Sequence, residues 1–158
     1  MEITERPEPP TGLARFLLRL PVHLYRWRLS GLLGWNLLLL NHVGRVSGAR
    51  RQVVLEVVEH APDGSYVVCS GFGPRADWYR NVIAHPRATI QVGKRSLAVV
   101  AQPLSADEGA ELMVRYATRR PRAARQLADF MGFKVDGSPD DYRATGRELP
   151  FVRLVPRH

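Results

Sequence analysis

The residue pattern of this chain predicts an α+β domain built around a mostly antiparallel, barrel-like sheet. Short segments rich in aliphatic and β-branched residues recur from Leu37 onward, and turn-forming residues separate them at hairpin spacing. Helical stretches with clear start signals are inserted among these segments and appended after them, without the strict alternation that a doubly wound parallel sheet would need. The 158 residues suffice for one domain with a hydrophobic core and are too few for two comfortable ones. Residues 11–158 are therefore read as a single domain behind a flexible, proline- and glutamate-rich end at 1–10.

Taken in order, Leu37–Val43 and Val53–Val58 read as two strands joined through Gly44–Arg50. Pro62-Asp63-Gly64-Ser65 has turn composition and leads to a strand at Tyr66–Ser70. Asp77 is expected to cap a helix carrying Trp78, Tyr79, Asn81 and Val82, which Pro86 ends. Ala88–Val92 and Arg95–Gln102 form a hairpin around Gly93-Lys94. Ser105 and Glu108 have the spacing of a capping box and open a helix through Leu112, Met113 and Tyr116, interrupted by Pro121. A further helical piece passes through Ala124 and Leu127. Ser138-Pro139-Asp140-Asp141 then supplies a cap, a first-turn proline and two carboxylates where a helix start wants them. Phe151–Val155 is the last strand.

Before the first of these strands, Leu13, Phe16, Leu17, Leu20 and Leu24 fall on one helix face, with Arg15, Arg19, His23 and Arg26 beside it. Arginine is too frequent there for a membrane span or a signal-peptide core. The stretch reads as a helix covering one side of the barrel, kinked or split at Pro21; peripheral contact with anionic lipid is the alternative.

Lysine and arginine outnumber aspartate and glutamate by 23 to 15, a formal charge of +8, which favours anionic partners without naming one. Nucleic acid has only this charge behind it, with no recognised motif or interleaved aromatic and basic pattern, and is not expected as a partner. The single cysteine, Cys69, excludes an internal disulfide and a cysteine-held metal cluster, suits a cytoplasmic protein, and is read as a small buried thiol. The five histidines show no ligand spacing, so no metal is expected.

Two loops carry the chemistry. Gly44-Arg45-Val46-Ser47-Gly48, followed by Arg50 and Arg51, is a basic glycine turn between strands, a place to hold an anion. Ser70-Gly71-Phe72-Gly73-Pro74-Arg75 leads into the helix bearing Trp78 and Asn81, and its glycines would let main-chain N–H groups approach a ligand. Together they suggest a site for a phosphate-bearing aromatic ligand.

The run Leu40-Asn-His-Val-Gly-Arg-Val-Ser-Gly-Ala-Arg-Arg, with Ser70-Gly-Phe-Gly and Asp77-Trp-Tyr-Arg-Asn-Val-Ile-Ala-His-Pro, resembles the deazaflavin-dependent nitroreductase family, also called F420-dependent quinone reductase-like proteins. The resemblance covers about Leu37 to Ser105 well and the C-terminal part, including Glu148-Leu-Pro-Phe-Val-Arg-Leu-Val-Pro, more loosely. It implies a split β-barrel of the FMN-binding type with N- and C-terminal helices, the deazaflavin coenzyme F420, and hydride transfer to a quinone, nitroaromatic or similar electron-poor acceptor. It further implies that Arg45, Ser47 and Arg51 hold the coenzyme's anionic tail, that Ser70 lies beside the deazaflavin, and that Trp78 and Asn81 contact it. Val46 and Gly71 stand where the family often carries lysine; Arg50 and Arg75 are extra cations near the same loops, and an arginine fork can take over such a contact. Tyr79 and Tyr142 are the candidate catalytic residues on the substrate side. Alternatives in the same barrel are FMN or haem as the cofactor, and a non-catalytic carrier of F420 or a lipid-like ligand. A homodimer is a further implication of the resemblance.

Overall fold

Residues 37–60 set the frame. In a computed structural model of the chain, which describes residues 2–3, 37–69 and 76–157, β2 (Leu37–Val43) and β3 (Arg50–His60) pair antiparallel from Leu37 opposite Glu56 to Val43 opposite Arg50. Alternation along β2 turns Leu38, Leu40 and His42 to one face, and the register places Leu55, Val53 and Arg51 across from them. That face is the inside of a closed six-stranded barrel. Its other strands are β4 (Tyr66–Cys69), β5 (Arg87–Val92), β6 (Arg95–Pro103) and β8 (Phe151–Pro156), in the order β2-β3-β4-β8-β6-β5 with every pairing antiparallel. Closure leaves no unpaired edge in the barrel. Leu38, Leu40, Val68, Ile90, Val99 and Leu154 fill its interior.

Local chemistry explains the helices. α1 (Asp77–Ala84) lies between β4 and β5; α2 (Ala106–Arg119) and α3 (Pro121–Phe130) follow β6; α4 (Pro139–Glu148) precedes β8. Ser105 and Glu108 form the capping box in both directions, and the Ser138 hydroxyl accepts the Asp141 N–H. Pro121 starts α3 at a position where its missing N–H costs nothing. A second core of Leu112, Met113, Tyr116, Phe133, Tyr142 and Phe151 joins these helices to the barrel wall. Gly109 and Gly146 allow α2 and α4 to touch backbone to backbone: a Cβ added at Gly109 would sit 2.5 Å from the Gly146 carbonyl oxygen.

Several details differ from the sequence reading. The N-cap of α1 is Ala76, with no side-chain cap; Asp77 is the first helical residue, where its carboxylate complements the helix dipole and faces Arg45. β3 begins at Arg50 and not at Val53, because the polar residues Arg50, Arg51 and Gln52 continue the ladder opposite Val43, His42 and Asn41. Phe133–Lys134 (β7) pairs with Glu2–Ile3 (β1), a two-stranded ladder with no hydrophobic alternation to announce it. The helix expected around 13–26, and Ser70, Gly71, Gly73 and Arg75, lie outside the described residues. Cys69 is buried, and burial holds its thiol well above the usual range, as a structural cysteine requires.

Candidate functional site

The β2–β3 connection folds on itself. The Gly44 N–H bonds the Ala49 carbonyl at 2.8 Å, the Gly48 N–H the Gly44 carbonyl at 2.9 Å, and the Ala49 N–H the Ser47 hydroxyl at 3.1 Å. Gly48 sits at φ 71°, which calls for glycine, and a Cβ on Gly44 would lie 2.6 Å from Ser47 Oγ, so the hydroxyl that accepts the Ala49 N–H would have to turn away. Val46 forms the tip, 93% exposed. Arg50 and Arg51 leave the turn on β3, also exposed. Alternation divides them: Arg51 lies across from His42 on the barrel's inner face, at the mouth, whereas Arg50 lies across from Val43 on the outer face.

Arg45 turns inward. Its backbone N–H and its Nη1 both donate to Asn81 Oδ1, at 3.0 and 2.9 Å, and its Nη2 lies 3.7 Å from the Asp77 carboxylate. Asn81, 2% exposed on α1, completes the chain with its amide nitrogen 3.0 Å from His42 Nδ1. The chain His42–Asn81–Arg45 therefore ties β2, α1 and the turn together. Burial drives the His42 pKa down to about 4, with the Arg51 guanidinium pushing the same way and Asp77 opposing. The imidazole is neutral at physiological pH.

The remaining candidates fall in two places. Trp78, 6% exposed, belongs to the barrel core and meets Tyr79 edge to face at 6.0 Å between ring centroids; Tyr79 packs half-buried against the same core. Tyr142, on α4, is in the second core, where it lines a cleft of about 200 Å³ with Val114 of α2 and Pro121 and Arg125 of α3. The structure thus gathers Arg45, Ser47, Arg51, Trp78, Tyr79 and Asn81 around the turn and α1 and puts Tyr142 in a different cluster. His42 was missed as a site residue. Its signal is present in the sequence: a histidine at the inward position two beyond Leu40, where the alternation calls for an apolar side chain.

The donors exposed at the turn suit an anion. Arg50 and Arg51 present exposed guanidinium groups and Ser47 a hydroxyl on and beside the glycine turn.

The sequence over residues 18–152 matches the family model for F420H2-dependent quinone reductase. The chain belongs to this family. Among solved structures, an F420H2-dependent reductase, FDR-A, superposes with a TM-score of 0.53 at 24% identity, over 75% of this chain and 93% of its own. A protein described as a domain-swapped dimer superposes with a TM-score of 0.51 at 22% identity, over 85% of this chain and 98% of its own. HutZ, the haem storage protein of Vibrio cholerae, gives 0.54 at 15% identity, over 89% of this chain and 92% of its own. At these identities the structural likenesses establish the split-barrel fold that the quinone reductase family shares with other cofactor-binding proteins. No curated protein matches the sequence.

Proposed function

We propose that this member of the F420H2-dependent quinone reductase family is an oxidoreductase that passes hydride from reduced F420 to a quinone, nitroaromatic or similarly electron-poor organic acceptor. Membership over residues 18–152 carries the reading. When bound, reduced deazaflavin supplies the hydride; the chain's residues bind, orient and shield. Arg51, at the mouth on the inner face, takes the anionic tail together with the Ser47 hydroxyl, and Arg50 adds attraction from the outer face. Arg45 shapes the turn, because its backbone and side chain are engaged by Asn81 and Asp77. Trp78 walls the site from within the barrel core and keeps water from the deazaflavin position.

Reduction of a quinone or nitro group consumes a proton with each hydride. Tyr79, half-buried on α1 beside Trp78, is better placed than Tyr142 to deliver it, either directly or by ordering a water. Ser70, Gly71, Gly73 and Arg75 enter this reading on the sequence resemblance alone.

The test has two stages. Oxidised F420, FMN and haem are titrated into the protein; then consumption of reduced F420 is followed with menadione or a nitroaromatic. Selective F420 binding with acceptor-dependent consumption supports the proposal. Binding without turnover identifies a coenzyme carrier, and no binding of F420 overturns both readings.

A further inference from the structure

We propose that His42 is a positioning residue for the anion-binding turn: its unprotonated Nδ1 holds Asn81 in the one orientation that lets the amide oxygen carry Arg45. This rests on the reading of Gly44–Arg51 as the coenzyme's tail site. The logic is one of donor and acceptor counting. Arg45 offers Asn81 only donors, a backbone N–H and a guanidinium N–H, both directed at Oδ1. The amide oxygen must therefore face Arg45, and the amide NH₂ faces His42 Nδ1 at 3.0 Å. An NH₂ group needs an acceptor there, so the imidazole must carry its hydrogen on Nε2 and leave Nδ1 bare. Protonation at Nδ1 would set donor against donor. Asn81 then either flips, losing both bonds to Arg45, or leaves a buried donor unpaired.

The surroundings hold the ring in the required state. Across β3 it faces Arg51, from α1 Asp77, and through Asn81 it meets Arg45 of the turn. Where β5 passes the same end of the barrel it supplies the apolar Ala88. Burial at 5% exposure, with the Arg51 guanidinium outweighing the opposing Asp77 carboxylate, keeps the ring uncharged. The tail site is therefore set from behind: a buried base decides whether the turn is braced.

Two variants and the wild-type protein test this. Ring-nitrogen NMR of the wild type at neutral pH should show Nδ1 bare and Nε2 protonated; a protonated Nδ1 overturns the proposal. His42→Asn puts a non-titrating acceptor the same two bonds from Cβ as Nδ1, whereas His42→Leu removes the acceptor. His42→Leu should weaken F420 binding about tenfold and shift the Arg45 amide resonance, and His42→Asn should recover the affinity to within about threefold. Unchanged affinity and an unchanged Arg45 amide in folded His42→Leu overturn the proposal. On acidification the Arg45 amide and the Asn81 NH₂ should move with the midpoint of His42 in the wild type but not in His42→Asn. A transition that persists in His42→Asn does not arise from His42 and also overturns it. If the wild type fails to bind F420, the functional reading falls, while the NMR arms still decide the role of His42.

Discussion

Asn81 Oδ1 accepts two hydrogen bonds from Arg45, one from the backbone at 3.0 Å and one from the guanidinium at 2.9 Å. A single amide on α1 thus fixes both the path and the side-chain direction of the residue that opens the β2–β3 turn. The Arg45 guanidinium meets Asn81 and Asp77 within the fold, whereas Arg50 and Arg51 are exposed.

Replacing this amide should expose its dual role. Asn81→Leu removes the acceptor of both Arg45 hydrogen bonds, costing about 1–3 kcal/mol in denaturant unfolding. Asn81→Asp keeps the acceptor for Arg45 but sets a carboxylate oxygen against His42 Nδ1, which then must carry a hydrogen, and the new negative charge favours the imidazolium. The His42 pKa should rise from about 4 to above its ordinary 6.5, read by NMR titration.

Stability should depend on pH through His42. Its pKa of about 4 lies below the unfolded value of 6.5, so between these the unfolded chain binds a proton that the folded chain excludes, and unfolding becomes easier as pH falls. The contribution is fully present above about pH 6.5 and is lost by about pH 4, a change of about 3 kcal/mol. Urea midpoints across this window should fall steeply for the wild type and markedly less for His42→Asn.

The α2–α4 crossing tolerates no side chain at its centre. In Gly109→Ala the new methyl would sit 2.5 Å from the Gly146 carbonyl oxygen and 3.2 Å from Phe151, which belongs to the fully buried core. Helix backbones must separate to admit it, so a loss of about 2–4 kcal/mol is expected, seen as an earlier unfolding midpoint.

Much of the barrel was legible because its signals are local. The aliphatic runs of β2, β4 and β5, the Gly93 turn and the Ser105 and Ser138 caps each announce an element within a few residues. What stayed hidden depends on partners distant in sequence. The insertion of β8 between β4 and β6 follows from pairings such as Val68 with Val152 and Ala101 with Leu154. The inward turn of Arg45 depends on Asn81, 36 residues away, and the burial of His42 on a helix packed over the barrel mouth. A basic turn shows in sequence how much charge it carries, but not how much of that charge is already neutralised at home.

The two exposed arginines should contribute unequally to coenzyme binding. Arg51 shares the inner face with His42 at the mouth, and Arg50 faces outward. Arg51→Ala should weaken F420 binding by about tenfold or more, as loss of a charge-assisted contact worth about 1.5–3 kcal/mol predicts, and Arg50→Ala by about threefold or less. Equal losses in calorimetric titration would mean that the tail lies across the strand and not within the mouth.

Val46 offers a gain-of-function test at the same turn. At 93% exposure its side chain packs against almost nothing, so Val46→Lys should leave the unfolding midpoint within about 0.5 kcal/mol of the wild type. The new ammonium would add a cation at the turn tip, close in sequence to Arg50 and Arg51. Affinity for F420 should rise about threefold to tenfold at low salt, and the gain should shrink as ionic strength increases, because an exposed ion pair is screened. A rise that survives high salt would indicate a desolvated contact deeper than the tip, and no rise at all would place the tail away from the Gly44–Gly48 turn.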